Sequence, residues 1–299
     1  MSANVAAALS ALSDALRMSA APPAMEWFDK ERAILAEGSD PERLTRSLPM
    51  ASRYGKNRPL GANDELRATV AEAVPGLCIE RWSQLETMRV LLLCAPQDQA
   101  SQRYLDFYKD AHRYADEGEL RVLFKALPLL EDSGRFIWFA TEACRTNIVP
   151  VFEAIGMDTP YPAEHFDELA WNQLCLKAIF MGAPLHRTVG LDKRANADLA
   201  RMALDLVEER RAAGRAIQPE LWLCLGEHAG ERGLAALEQE LVQGPAAGRH
   251  GALLGLARAG ASERVATFVS DSDEQLAAAA RSAQQAMPTP HAFAVVHAT

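Results

Sequence analysis

Very little of this 299-residue chain reads as strand. No long stretch alternates polar and apolar residues, and β-branched residues are sparse beside abundant Ala and Leu, both strong helix formers. Long apolar runs are missing too. The longest, Val90–Ala95, falls far short of the roughly 20 residues that span a bilayer. No basic charge precedes Arg17 and no continuous apolar core follows the start, so a secretory signal is not expected. Basic residues are outnumbered, 31 to 40, for a net charge of -9. The densest basic clusters, Arg53–Arg58 and Glu208–Arg215, are short and mixed. A nucleic-acid groove, which needs a concentrated basic face, is therefore not expected. The five cysteines, Cys78, Cys94, Cys144, Cys175 and Cys224, form no CxxC pair. They read as buried free thiols of a reducing compartment. Phosphate-binding glycine loops, a GxSxG elbow, HExxH and a Glu-x-x-His pair are also missing. No cofactor, no metal and no catalytic residue is assigned, and the location expected is cytoplasmic.

Helical periodicity fills the space left by these absences. Val5, Leu9, Leu12 and Leu16 make a first stripe, stopped at Pro22-Pro23. Asp40-Pro41, Asn63, Ser83 and Asn196 are placed to cap later helices, and Gly38, Gly182 and Gly214 to end them. After about residue 230 short helices alternate with tight turns, in the manner of HEAT-like solenoid pairs. The fold class expected is all-α, a multi-helical bundle continuing into a HEAT-like α-solenoid C-terminal half. The parts expected are an N-terminal helix (1–23), a helical body (24–230), short HEAT-like helices (231–287) and a disordered or loosely docked tail (288–299). A break near Asp158–Pro162 is an alternative boundary.

One segment, residues 145–196, differs from the generic helices. Pro162 at the front and Gly182 with Pro184 at the back predict a helix over 162–181. His165, Leu169, Asn172, Leu176 and Ile179 then share a stripe, which places two polar groups on an apolar face. Such groups need partners when buried, since an unsatisfied amide costs about 1–3 kcal/mol. The loop that follows offers His186, Arg187, Asp192, Lys193 and Arg194. Two readings result. In one, Asn172 bonds loop backbone, Asp192 pairs with Arg187 or Arg194, and the network only builds the fold. In the other, His165, Asn172, His186 and Arg187 point at a ligand. Arg145 and Asn147 are a second polar pair in an apolar setting, read mainly as helix-end chemistry. Arg53 and Arg58 are a weak anion-binding candidate. The candidate ligand residues are thus Arg145, Asn147, His165, Asn172, His186, Arg187, Asp192 and Arg194.

The stretches Arg145–Ile155, Tyr161–Glu168, Trp171–Phe180 and Pro184–Asn196 resemble the EboA-domain family of metabolite traffic proteins. The likeness is close from about Leu120 to Trp222 and loose outside it. It implies a bacterial protein that works beside a UbiA-like prenyltransferase, a TatD-like hydrolase, a dehydroquinate-synthase-like protein and a sugar-isomerase-like protein. That context implies moving a secondary-metabolite precursor towards the cell envelope. The family supplies no catalytic residue to transfer. The reading favoured is a non-catalytic binder or adaptor. The alternative is a helical enzyme on a small anionic or prenylated metabolite, with His165 or His186 as acid/base.

Overall fold

The structure, a computed structural model, describes residues 3–38 and 40–297. The expected N-terminal helix and tail are therefore seen from Ala3 and up to His297. Met1, Ser2, Ala298 and Thr299 lie outside the described residues. The chain is all-α. No strand occurs among the described residues, and one isolated bridge joins Pro59 to Ser83. Contacts divide the chain between Phe166 and Asp167 into two compact units.

The first unit holds α1 (Ala3–Ser19), α2 (Pro22–Ala36), α3 (Pro41–Met50), α4 (Asp64–Ala73) and α5 (Gln84–Leu93). It continues with α6 (Gln102–Tyr114), α7 (Glu117–Ala126), α8 (Ile137–Ala143), α9 (Val149–Gly156) and α10 (Tyr161–His165). The helix starts follow the expected chemistry. Asp40, Asn63 and Ser83 each accept a backbone N–H of the first turn. Ser83 and Glu86 complete a reciprocal capping box. Helix α5 is the axis of this unit. Nearly every side chain on it is buried, and it packs on α1, α2, α3 and α7. A helix buried on almost all sides belongs inside a core, and its buried polar side chains Glu86 and Arg89 are hydrogen-bonded there. Truncating Leu91 or Leu92 to Ala would cost about 2–5 kcal/mol.

The second unit holds α11 (Glu168–Met181), α12 (Ala197–Ala212), α13 (Gly230–Gln243), α14 (Ala246–Arg258), α15 (Ser262–Ala266), α16 (Glu274–Gln285) and α17 (Ala294–His297). Helix α14 is central, packing on α13, α15, α16 and the 3₁₀ turn Pro219–Cys224. Its glycines make this possible. A Cβ on Gly251 would stand 2.8 Å from Pro219 Cβ, and one on Gly255 would stand 3.0 Å from Trp222 Cβ. The 219–224 turn therefore lies directly on the α14 backbone, which fixes Glu220 inside the unit.

Two expectations change. The helix predicted over 162–181 is broken. Helix α10 ends at His165, Phe166 is extended, and Asp167 starts a new helix by accepting the Ala170 N–H at 2.8 Å. An aspartate able to cap outweighed the continuity of the apolar pattern. The tail is not loosely docked either. Pro290–Phe293 forms a 3₁₀ turn that leads into α17, with Phe293 and Val296 buried.

Candidate functional site

The break at Phe166 separates the residues the predicted stripe had joined. His165 belongs to the first unit. Its Nε2 lies 3.3 Å from the Ser133 hydroxyl, and its ring lies against Tyr161, whose own hydroxyl donates to the Ser133 carbonyl. Asn172 belongs to the second. The buried face of α11 is Trp171, Asn172, Leu174, Cys175, Ala178 and Ile179, while Leu169 is 62% exposed. The buried face of the helix is thus rotated from the predicted stripe.

Asn172 is nonetheless buried and paired. It exchanges two amide hydrogen bonds with Asn196, at 3.2 and 2.9 Å. Asn196 also caps α12 by accepting the Leu199 N–H and donates to the Arg194 carbonyl. One side-chain pair therefore ties the middle of α11 to the start of α12. Arg194 stacks over Trp171, 5.0 Å to the ring centroid, and donates to the Asp167 carbonyl. Asp192 reaches across the second unit. Its partner is Arg258 at the end of α14, and Arg258 also donates to the Pro288 carbonyl. Asn172, Arg194 and Asp192 are thus spent on closing the unit, with partners too distant in sequence for spacing to reveal.

His186 follows a different path. It is buried on the 3₁₀ turn Leu185–Arg187, and its Nδ1 lies 2.7 Å from Glu220 Oε1. Its backbone N–H donates to Glu220 Oε2 at 3.2 Å, which orients the carboxylate. His297 of α17 brings a second Nδ1 to the same oxygen at 3.0 Å. The His291 ring lies 6.1 Å from that of His186. One ligand-capable atom from each of His186, Glu220 and His297 falls within 4.8 Å of the others. His186 and Glu220 are buried, and His297 is exposed.

The profile of the EboA family, described as metabolite traffic protein EboA, matches residues 8–226. This chain belongs to the EboA family. No curated protein and no solved structure matches it. Within this EboA-family chain, His186 and Glu220 lie inside the matched residues, while His291 and His297 lie beyond them.

The remaining candidates are dispersed. Arg145 is exposed and pairs with Glu142 one turn earlier at 2.8 Å, and Asn147 lies exposed in the loop before α9. Arg187 is half-buried beside His186. Arg53 is exposed in the 3₁₀ turn Ala51–Arg53. Arg58 donates to the Ser19 carbonyl at the end of α1, so its guanidinium serves a helix C-terminus. The backbone of this basic loop is also used, because the Lys56 and Arg58 carbonyls accept the Leu85 and Gln84 N–H groups.

No disulfide joins any of the cysteines among the described residues. Burial pushes Cys78, Cys94, Cys144 and Cys224 up to about 12, so none is a thiolate nucleophile at neutral pH. No helix among the described residues is long and apolar enough to cross a membrane. Sequence reasoning missed Glu220, His291 and His297. Glu220 sits in a Pro-Glu-Leu-Trp turn that reads as an ordinary helix start. His291 and His297 lie in the segment set aside as tail, and two histidines in a twelve-residue tail were the available signal.

Proposed function

We propose that this chain is a non-catalytic binding and adaptor protein in a bacterial pathway that moves a secondary-metabolite precursor towards the cell envelope. It would act in the cytoplasm with the UbiA-like prenyltransferase, the TatD-like hydrolase and the dehydroquinate-synthase-like and sugar-isomerase-like proteins that the family resemblance implies. One observation carries the reading. Within a family match of residues 8–226, polar groups that set the central segment apart are engaged inside the chain, Asn172 on Asn196 and Arg194 on Trp171, while the exposed Asp192 reaches Arg258 beyond the match. Such a network specifies one closed geometry, which suits a docking or holding protein. A HEAT-like stack over 231–287 would add a surface of the kind solenoids use to hold partners.

Co-expression of the tagged chain with each of the four partners, followed by co-purification and titration, tests this reading. Saturable binding to at least one partner is expected. Binding to none of them, together with turnover of a pathway metabolite by the purified chain, would overturn it.

A helical enzyme is the second reading, and a specific contact favours keeping it. His186 is buried and oriented by Glu220, as a general base must be. His165, the other candidate acid/base, lies in the first unit against the Ser133 hydroxyl. Loss of turnover in His186→Gln with partner binding intact would favour the enzyme.

A further inference from the structure

We infer that His186, Glu220 and His297 form a binding site for a divalent first-row transition metal of the zinc class, which fastens the C-terminal segment to the second unit. Two imidazoles and one carboxylate are a recurring three-ligand set for such ions and leave a further position for water. The geometry suits it. Both Nδ1 atoms converge on Glu220 Oε1, at 2.7 and 3.0 Å. Ligand atoms around a tetrahedral ion with bonds of about 2.0–2.2 Å stand about 3.3–3.5 Å apart. An opening of about 0.3–0.8 Å at these two contacts thus converts the hydrogen-bonded set into a coordination set. His297 can supply its share, because it lies on the exposed side of a short helix, and the His186–Glu220 contact must open with it.

Charge gives an independent argument. Glu220 is 3% exposed. Among the described residues, its recorded partners are the His186 N–H and the two imidazoles. None of these is a fixed cation. A buried carboxylate is costly unless a positive charge compensates it. A divalent ion held by Glu220 and two imidazoles supplies that charge, and the exposed edge at His297 gives it a way in. The backbone bond from His186 to Oε2 holds Glu220 as outer-sphere bonds hold metal ligands elsewhere. The ligands come from three separate turns, so the ion would join Leu185–Arg187, Pro219–Cys224 and Ala294–His297.

The inference does not depend on whether the chain is an adaptor or an enzyme. Its test is calorimetric titration of the tag-free full chain with ZnCl₂, with CoCl₂ as a coloured probe. One ion per chain is expected, with visible Co²⁺ bands of a low-coordinate site and a rise in Tm on adding ZnCl₂. His297→Gln, at an exposed position, should fold normally and weaken binding at least about tenfold. Glu220→Gln should do the same, and His228→Gln, an imidazole outside the cluster, should leave binding unchanged. The inference is overturned if the wild-type chain takes up no stoichiometric ion. It is equally overturned if the ion stays bound in folded His297→Gln and Glu220→Gln.

Discussion

Glu86 of the first unit and Glu220 of the second are both buried, and the two are held in opposite ways. In the first unit Glu86 meets the Lys125 ammonium at 2.7 Å and the Arg121 guanidinium at 2.6 Å, and it accepts the Ser83 N–H at 2.8 Å. Burial works to raise its pKa, but Lys125, the Ser83 N–H and Arg121 more than offset this and hold it below its ordinary value. In the second unit Glu220 meets two imidazoles and one N–H. The first arrangement is complete without anything else, since fixed cations at a fixed distance compensate a fixed anion. The second uses groups whose charge can be supplied, exchanged or replaced by an ion. The difference teaches where to look for function, because a carboxylate already neutralised by lysine and arginine has little left to offer a ligand.

The largest expected effect breaks the complete arrangement. Glu86→Ala leaves Lys125, buried against the Trp82 ring, without its counter-ion and removes half of the α5 capping box. Removing one partner of a buried pair costs about 3–5 kcal/mol. Denaturant unfolding should show a loss in that range. A loss below about 1 kcal/mol would mean that water compensates Lys125 and that the two glutamates are held in similar ways.

The corresponding change in the second unit should cost less. Glu220→Gln keeps the shape and an acceptor for the imidazole N–H groups, so a loss of about 1–2 kcal/mol is expected without added metal. The comparison sharpens when ZnCl₂ is present. The wild-type Tm should rise, the Glu220→Gln Tm should not, and Glu86→Gln should retain whatever rise the wild type shows.

Acid probes the first unit further. The folded-state pKa of Glu86 is lowered, so its contribution is present above the ordinary value of 4.5 and lost as pH falls below it. His112 acts at higher pH. Burial against Phe124 and Phe139 lowers its pKa in the folded chain. Below its ordinary value of 6.5 the unfolded chain holds more protons, and stability falls as acid is added. Thermal melts of wild type and His112→Phe between pH 7.5 and 5 should diverge, with the variant losing less Tm. Parallel curves would show that His112 does not carry this dependence.

How far the sequence reached follows the same physics. Elements defined by local chemistry were legible. Asp40, Asn63, Ser83 and Asn196 cap the helices they were expected to cap, and the all-α class follows from periodicity alone. The family was legible from the 145–196 segment, and the match over residues 8–226 places the chain in it. Partnerships across sequence were not legible. Nothing local says that Asp192 will meet Arg258, or that His186 will meet Glu220 34 residues away. The break at Phe166 was also hidden, because the apolar pattern continues through it while the Asp167 cap competes with one extra helical turn.

That break supports the smallest prediction. If one helix ran from 162 to 181, His165 and Asn172 would share a stripe, a set of neighbours and a measurable coupling energy. With Asp167 starting a new helix they share no hydrogen-bond partner, since His165 turns to Ser133 and Asn172 to Asn196. Two double-mutant cycles decide between these cases. The Asn172→Leu and Asn196→Ala pair should show a coupling of about 0.5–1.5 kcal/mol, because each amide loses a partner the other supplied. The His165→Phe and Asn172→Leu pair should add to within about 0.5 kcal/mol. Strong coupling in the second cycle would restore the single-stripe reading and, with it, His165 as a neighbour of the second unit's polar network.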